Sequence, residues 1–172
     1  MPGCISQRGS SLKLPNAFQK FIHRFLMLGP VSALLANILH HIDAVVLRLT
    51  KDRHTATEII GLPIIQLTTV GARTGQLRTM PLVGLIDGDK IALIGSNFGR
   101  KNNPGWYYNL RAHPQCTVHF NGRAGKYMAR PAESGEREKY WQTAVSYYKG
   151  YDSYKTRAYQ RVIPVMVLEL LK

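Results

Sequence analysis

The feature that most limits how this chain can fold is a change of period at Pro63. Beyond it, short apolar and β-branched runs are separated by turn residues, mostly over spans too short for a crossover helix. Ile64 to Thr69 reads as a first strand. Gly71-Ala72-Arg73-Thr74-Gly75 is a tight connection into a second, near Arg78 to Ile86, and Asp87-Gly88-Asp89 turns into a third, Ile91 to Gly95. A loop over residues 96–103 leads to a helix starting at Pro104, a favoured first helical position, and ending at His113-Pro114. Cys116 to Phe120 is a fourth strand, Asn121-Gly122 a strong hairpin signal, and Gly125 to Arg130 the returning fifth. Glu133 to Tyr148 reads as helical, and a short tyrosine-rich segment then leads to a last strand, Ile163 to Leu170. Hairpin-linked strands with two helices between them favour a small barrel, mainly β with helices (α+β), over a parallel sheet.

The first sixty residues follow another rule. Residues 1–11 lack periodicity and read as a loose leader, after which Leu14, Phe18, Phe21, Phe25 and Leu28 share one helical face. Lys13, Lys20 and Arg24 flank that stripe, where long basic side chains can snorkel while the stripe enters an apolar phase. Gly29-Pro30 breaks the helix, and a second apolar helix is expected from about Pro30 to Leu49. No formal charge lies between Arg24 and Asp43, but the break and Ser32, Asn37, His40 and His41 favour a docked or interfacial helix over a membrane span. No small-residue cleavage site follows the apolar run, which argues against a signal peptide. The expected organisation is a leader with amphipathic helices over 1–60 and one barrel domain over 61–172.

Cys4 and Cys116 make no disulfide framework, so a reducing, cytoplasmic setting fits best. Cys116 sits in an alternating run and reads as a small core side chain rather than a nucleophile. No zinc-type spacing exists: adjacent His40 and His41 diverge by about 100° on a helix, and no metal site is expected.

Charge decides which partners are plausible. The 23 Lys and Arg against 10 Asp and Glu give a formal charge of +13, which suits a nucleic acid, an anionic membrane surface or a polyanionic small molecule. Between Gly71 and Arg130 stand Arg73, Arg78, Lys90, Arg100, Lys101, Arg111, Arg123, Lys126 and Arg130, against only Asp87 and Asp89. Several flank glycine-bearing turns, where backbone N–H groups can approach a phosphate closely. Thr74 adds a hydroxyl, and Asn102 and Asn103 precede the helix start at Pro104, a second candidate anion site. A lone Gly-x-Arg-Thr-Gly would still be an ordinary solvated turn.

All nine tyrosines lie between residues 107 and 159, with Trp106 just before them and Trp141 among them. Tyr148, Tyr151 and Tyr154, three apart, share a face on a helical segment. That face either walls a planar heteroaromatic ligand or caps one end of the barrel; spacing alone leaves both open. No nucleophile–base pair and no carboxylate pair stands out, which fits hydride transfer, where a cofactor carries the electrons.

Taken in order, Leu67-Thr68-Thr69-Val70-Gly71-Ala72-Arg73-Thr74-Gly75-Gln76-Leu77-Arg78, Pro81-Leu82, Gly95-Ser96, Asn103-Pro104-Gly105-Trp106-Tyr107-Tyr108-Asn109-Leu110 and His113-Pro114 resemble the deazaflavin-dependent nitroreductase family. Tyr140-Trp141, the Tyr148/Tyr151/Tyr154 series and Arg161-Val162-Ile163-Pro164-Val165 continue the resemblance, which covers about residues 60–170. It implies a split β-barrel of the FMN-binding-protein type that binds coenzyme F420, an 8-hydroxy-5-deazaflavin with a phospholactyl-polyglutamate tail. It implies that Arg73, Thr74, Gly75 and Arg78 hold phosphate and tail, with Pro81 and Leu82 beside the ring. Ser96, Asn97 and the following loop would meet phosphate or ring carbonyls, with Trp106 and Asn109 supporting that side. Tyr148, Tyr151 and Tyr154 would line the substrate side, one hydroxyl orienting the acceptor or assisting its protonation.

The chain departs from the family pattern twice. Ala72-Arg73 stands where many members carry a basic pair, and Ser96-Asn97-Phe98 where many have Ser-Lys-Gly; Arg100 or Lys101 is the expected substitute cation. The expected activity is hydride transfer from the reduced deazaflavin to a nitroaromatic, quinone or activated enone. The alternatives are FMN on the same fold and a non-catalytic lipid- or cofactor-binding barrel. Nucleic acid is not expected, because the motif order points to a small-molecule cleft. The amphipathic helices suggest peripheral contact with the inner face of the cell membrane, and the protein is expected as a monomer or homodimer.

Overall fold

Alternation of apolar and polar residues builds the sheet, and one glycine folds it over. The structure, a computed structural model, describes residues 62–158 and 161–171. Among these are seven strands: β1 (Ile64–Val70), β2 (Leu77–Val83), β3 (Leu85–Asp87), β4 (Lys90–Ile94), β5 (Gln115–Phe120), β6 (Arg123–Pro131) and β7 (Val165–Leu170). Three helices join them: α1 (Gly105–Ala112), α2 (Ser134–Tyr147) and α3 (Gly150–Arg157). The leader and the helices expected over residues 12–49 lie outside the described residues.

The sheet runs in the order β2-β1-β5-β6-β7-β4-β3, with every pairing antiparallel. Its two edge strands, β2 and β3, are contiguous in sequence and meet at Gly84. One continuous strand was expected over Arg78 to Ile86; it is instead two strands with different partners, β1 and β4. A Cβ on Gly84 would stand 3.0 Å from side-chain carbons of both Ile65 and Ile91, so the bend needs glycine for the close approach. Gly84 N–H bonds to the Pro63 carbonyl at 2.9 Å. With its edges joined there, the sheet curls into a split barrel.

Two apolar clusters hold it. Ile65, Leu67, Ile91, Leu93, Val118, Tyr127, Met166 and Leu168 fill the inside, closed by Trp106 and Leu110 of α1. Ala92, Val165 and Val167 point outward, beneath Tyr140, Trp141 and Ala144 of α2. β7 is therefore covered on both faces, which is why its sequence reads as an unbroken hydrophobic run. Cys116 is a core side chain, and burial pushes its thiol up to about 12.

The helix ends differ from expectation in detail. Pro104 is the cap before α1, with extended backbone (φ −67, ψ 152), and Gly105 is the first helical residue. α2 starts after Glu133, whose side chain caps the backbone N–H of Glu136 while Glu136 bonds back. The segment after Tyr148, expected as a short connection, forms the third helix, α3.

Candidate functional site

The predicted binding residues fall at the two ends of β2. At its start the Gly71–Gly75 turn closes on itself, with Gly75 N–H donating to the Gly71 carbonyl at 2.9 Å and Gly71 N–H to the Gln76 carbonyl at 2.8 Å. Gly75 takes φ +66, a left-handed conformation that favours glycine. Arg73, Thr74, Gly75 and Arg78 are all exposed there. Among the described residues neither Arg73 nor Arg78 joins a salt bridge; Arg78 makes only a long hydrogen bond, 3.4 Å, to Gln76.

Asn109 of α1 fixes this turn from behind. Its Oδ1 accepts the Ala72 N–H at 3.0 Å, and its Nδ2 donates to the buried Thr69 hydroxyl at 3.0 Å. Asn109 was expected to support the side of Ser96 and Asn97; its side-chain hydrogen bonds instead go to Ala72 and Thr69. Trp106, on the same helix, is buried in the inner core.

At the other end of β2, Val83 packs against the outer apolar cluster, of which Tyr148, Tyr151 and Tyr154 are members. Tyr148 at the end of α2 and Tyr151 and Tyr154 on α3 come together, their ring centroids 5.9–6.0 Å apart. All three are buried, and the Tyr148 and Tyr154 hydroxyls lie 3.2 Å apart. Burial is the main reason that each of the three phenols is shifted upward, from an ordinary value that already leaves it protonated at neutral pH. Gly150 makes the packing possible, because a Cβ there would overlap the Tyr148 ring.

The loop after β4 completes this end. Ser96 and Asn97 are half-buried, and Arg100 and Lys101 are exposed and outside any salt bridge among the described residues. Asn97, Phe98 and Gly99 have φ of +46, +56 and +77, three left-handed residues in a row. Asn97 Nδ2 donates to the Asn102 carbonyl at 2.8 Å, and the Phe98 ring meets Tyr154 edge-to-face at 5.9 Å.

One residue central to this loop was absent from the predicted site. Arg161 donates to the carbonyls of Gly95, Ser96 and Arg100 at 3.2, 2.8 and 3.0 Å, and to Asn103 Oδ1 at 2.7 Å. It clamps the loop, and it also engages Asn103, which was expected to prepare an anion site at the start of α1. In sequence Arg161 stood out only as part of the ending, since the acceptors it gathers are about sixty positions away.

The structure also divides the run of basic residues. Lys90 and Arg130 are held by Glu136 and Glu169, and Lys139 by Asp87. They are not part of a common anion-binding field with Arg73 and Arg78. An open cleft of about 280 Å3 lies apart from β2, lined by Arg137, Trp141, Lys155, Arg161 and Ile163 among others. Of the predicted site residues it includes none, so the site rests on the charge and turn geometry of β2 rather than on cavity size.

A seven-stranded antiparallel sheet curled in this way and covered by three helices defines a split-barrel protein of the α+β class. The sequence profile of the F420H(2)-dependent quinone reductase family matches residues 42–170, and the chain belongs to that family. It is an F420-dependent oxidoreductase. An F420H(2)-dependent quinone reductase of Mycobacterium tuberculosis is 33% identical over 109 residues, covering 62% of this chain and 72% of that protein. A solved F420-H2 dependent reductase is 36% identical with TM-score 0.57, covering 62% of this chain and 94% of its own. A second solved relative, a domain-swapped dimer, is 33% identical with TM-score 0.59, covering 71% and 92%.

Proposed function

We propose that this enzyme transfers a hydride from reduced F420 to a quinone-type acceptor, with the cofactor lying along β2. The observation that carries this reading is the separation of two chemistries by one strand. Seven residues of β2 span about 20 Å at about 3.3 Å each, which suits a ring at one end and a charged tail at the other. Arg73, Arg78 and Thr74 take the phosphate and acidic tail, on the turn whose shape Gly75 allows. Pro81 and Leu82, half-buried on β2, border the ring. Ser96 and Asn97 meet its polar edge, with Arg100 and Lys101 supplying positive charge from the same loop.

F420 supplies the hydride when bound. The chain's own residues do the rest: the clamp of Arg161 keeps the loop in register, and Asn109 keeps the tail turn closed. The phenols of Tyr148, Tyr151 and Tyr154 are protonated at neutral pH, so one of them can donate a hydrogen bond to an acceptor oxygen as negative charge develops on it.

Titration with F420 and with FMN, followed by tryptophan fluorescence, tests the reading. Saturable binding of F420 alone, weakened by R73Q, supports it; binding of FMN alone, or F420 affinity indifferent to R73Q, would overturn it.

The stripe Leu14, Phe18, Phe21, Phe25 and Leu28 with its flanking Lys13, Lys20 and Arg24 supports a second element of the proposal, delivery of the acceptor from a membrane surface. No helix among the described residues is long and apolar enough to cross a membrane. Co-sedimentation of the full chain with anionic liposomes, lost in a variant beginning at Gly61, is the expected result. Equal sedimentation of the two would remove this element.

A further inference from the structure

We infer that Phe98 is the acceptor-side aromatic wall of this enzyme and selects fused-ring over single-ring acceptors. The inference rests on the F420-dependent reading of the same site. Three observations carry it.

The first is exposure. Tyr148, Tyr151 and Tyr154 are 7%, 7% and 5% exposed, so little of their ring surface meets an incoming molecule. Phe98 shares an edge-to-face contact with Tyr154 at 5.9 Å yet remains 37% exposed. It is the open member of an otherwise closed aromatic cluster.

The second is conformation. Phe98 sits at φ +56, ψ +24, a region that phenylalanine rarely occupies. Folding alone would favour glycine at this position. The surroundings impose the shape: Gly99, next along, lies so close to α3 that a Cβ would stand 2.7 Å from Arg157 Cβ. The Asn97–Asn102 bond and the Arg161 clamp brace the same turn. A strained residue held in place by three independent restraints points to a role for its side chain.

The third is position. Phe98 lies two residues from Ser96, on the loop that borders the cofactor ring, and against the tyrosine whose hydroxyl pairs with Tyr148 at 3.2 Å. An acceptor seated against this loop meets the exposed face of Phe98 rather than the closed rings behind it. A fused second ring gains an aromatic contact there; a single ring largely stops short of it.

The test uses F98G, F98L and F98Y in the full-length protein. F98G relieves the backbone strain, so its melting temperature should equal or exceed that of the wild type, which separates a loss of function from a loss of fold. Its affinity for a naphthoquinone, measured by calorimetry on the complex with oxidised F420 and as KM, should fall by about fivefold to tenfold. For a benzoquinone the change should be about twofold, and F98Y should restore most of the naphthoquinone affinity while F98L does not. Equal changes for the two acceptors, or rescue by F98L as full as by F98Y, would overturn the assignment. Wild-type protein that fails to bind F420 would instead remove the reading on which it depends, visible before any variant is made.

Discussion

Two groups of cations in this molecule look alike in sequence and behave oppositely in the fold. Arg73, Arg78, Arg100 and Lys101 lie in the first turn, at the start of β2 and in the loop after β4; none forms a salt bridge among the described residues. Lys90, Arg130 and Lys139 lie around the start of β4, and all are paired. Arg130 grips Glu136 at 2.6 and 2.8 Å and Glu169 at 2.9 and 3.1 Å, while Lys139 meets Asp87 at 2.6 Å. The carboxylates make the difference. With so few acids in the chain, those placed at one end close a structural network and those withheld from the other leave a field for an anionic ligand. On the proposed reading of the site, positive charge is thus divided between stability and binding by where the acids sit.

The strongest break in the comparison comes from the open group. R73Q combined with R78Q should weaken F420 binding by about a hundredfold, on the scale of two lost charge-assisted contacts. The same pair should change unfolding free energy by less than about 0.5 kcal/mol, because neither side chain supports a neighbour. Fluorescence titration and urea unfolding on one preparation check both halves. A large loss of stability would mean that these arginines belong with the structural group after all.

G150A probes the far end of the ligand strand. The added methyl must displace the Tyr148 ring, at about 2 kcal/mol on the scale of core overpacking. It should separate the Tyr148 and Tyr154 hydroxyls and lower turnover, while tail binding at the Gly71–Gly75 turn persists. Parallel measurement of melting temperature, F420 affinity and turnover distinguishes this from general unfolding. F420 affinity that collapsed along with turnover would tie the two ends of β2 into one unit.

Removing a member of the paired group should give the reverse of the first result. R130L leaves Glu136 and Glu169 with only Lys90 between them, and a loss of about 1 kcal/mol is expected, discounted for partial exposure of the pair. F420 affinity should stay within about twofold. Urea unfolding and titration again decide, and a fall in affinity with unchanged stability would erase the contrast.

How far the sequence revealed this division depends on distance along the chain. Local chemistry was legible: Gly75 at its turn, the Asn121-Gly122 hairpin, the apolar run of β7 and the tyrosine triplet all follow from residues a few positions apart. The ordered motifs also led to the family. What escaped was set by contacts between distant segments. Gly84 splits a strand because Ile65 and Ile91 close on it, and Arg161 becomes a clamp through acceptors at 95–103. Lys90 and Arg130 count together with the turn cations in sequence because their partners, Glu136 and Glu169, lie beyond the stretch from Gly71 to Arg130. The burial of Trp106 in the inner core is likewise set by which layer of the curled sheet α1 faces.

The smallest expected effect concerns acid, and its sign follows from Glu136. Hydrogen bonds from Arg130 are the main cause that holds this carboxyl at about 2 in the folded chain, against an ordinary value of 4.5. A depressed carboxylate favours the folded state while it is ionised in both states, so its contribution is complete above about 4.5. Below that the unfolded chain takes up the proton first, and the contribution declines until the folded carboxyl titrates near 2. Asp87, lowered chiefly by its hydrogen bond from Lys139, and Glu169, lowered chiefly by that from Arg130, act in the same direction. Melting temperature should therefore fall between pH 4.5 and pH 2, and E136Q should flatten part of that slope while lowering stability at neutral pH. R73Q should leave the slope as it is. A slope that E136Q did not alter would mean that the network at the start of β4 is not coupled to folding, and the division between structural and ligand-facing cations would lose its energetic basis.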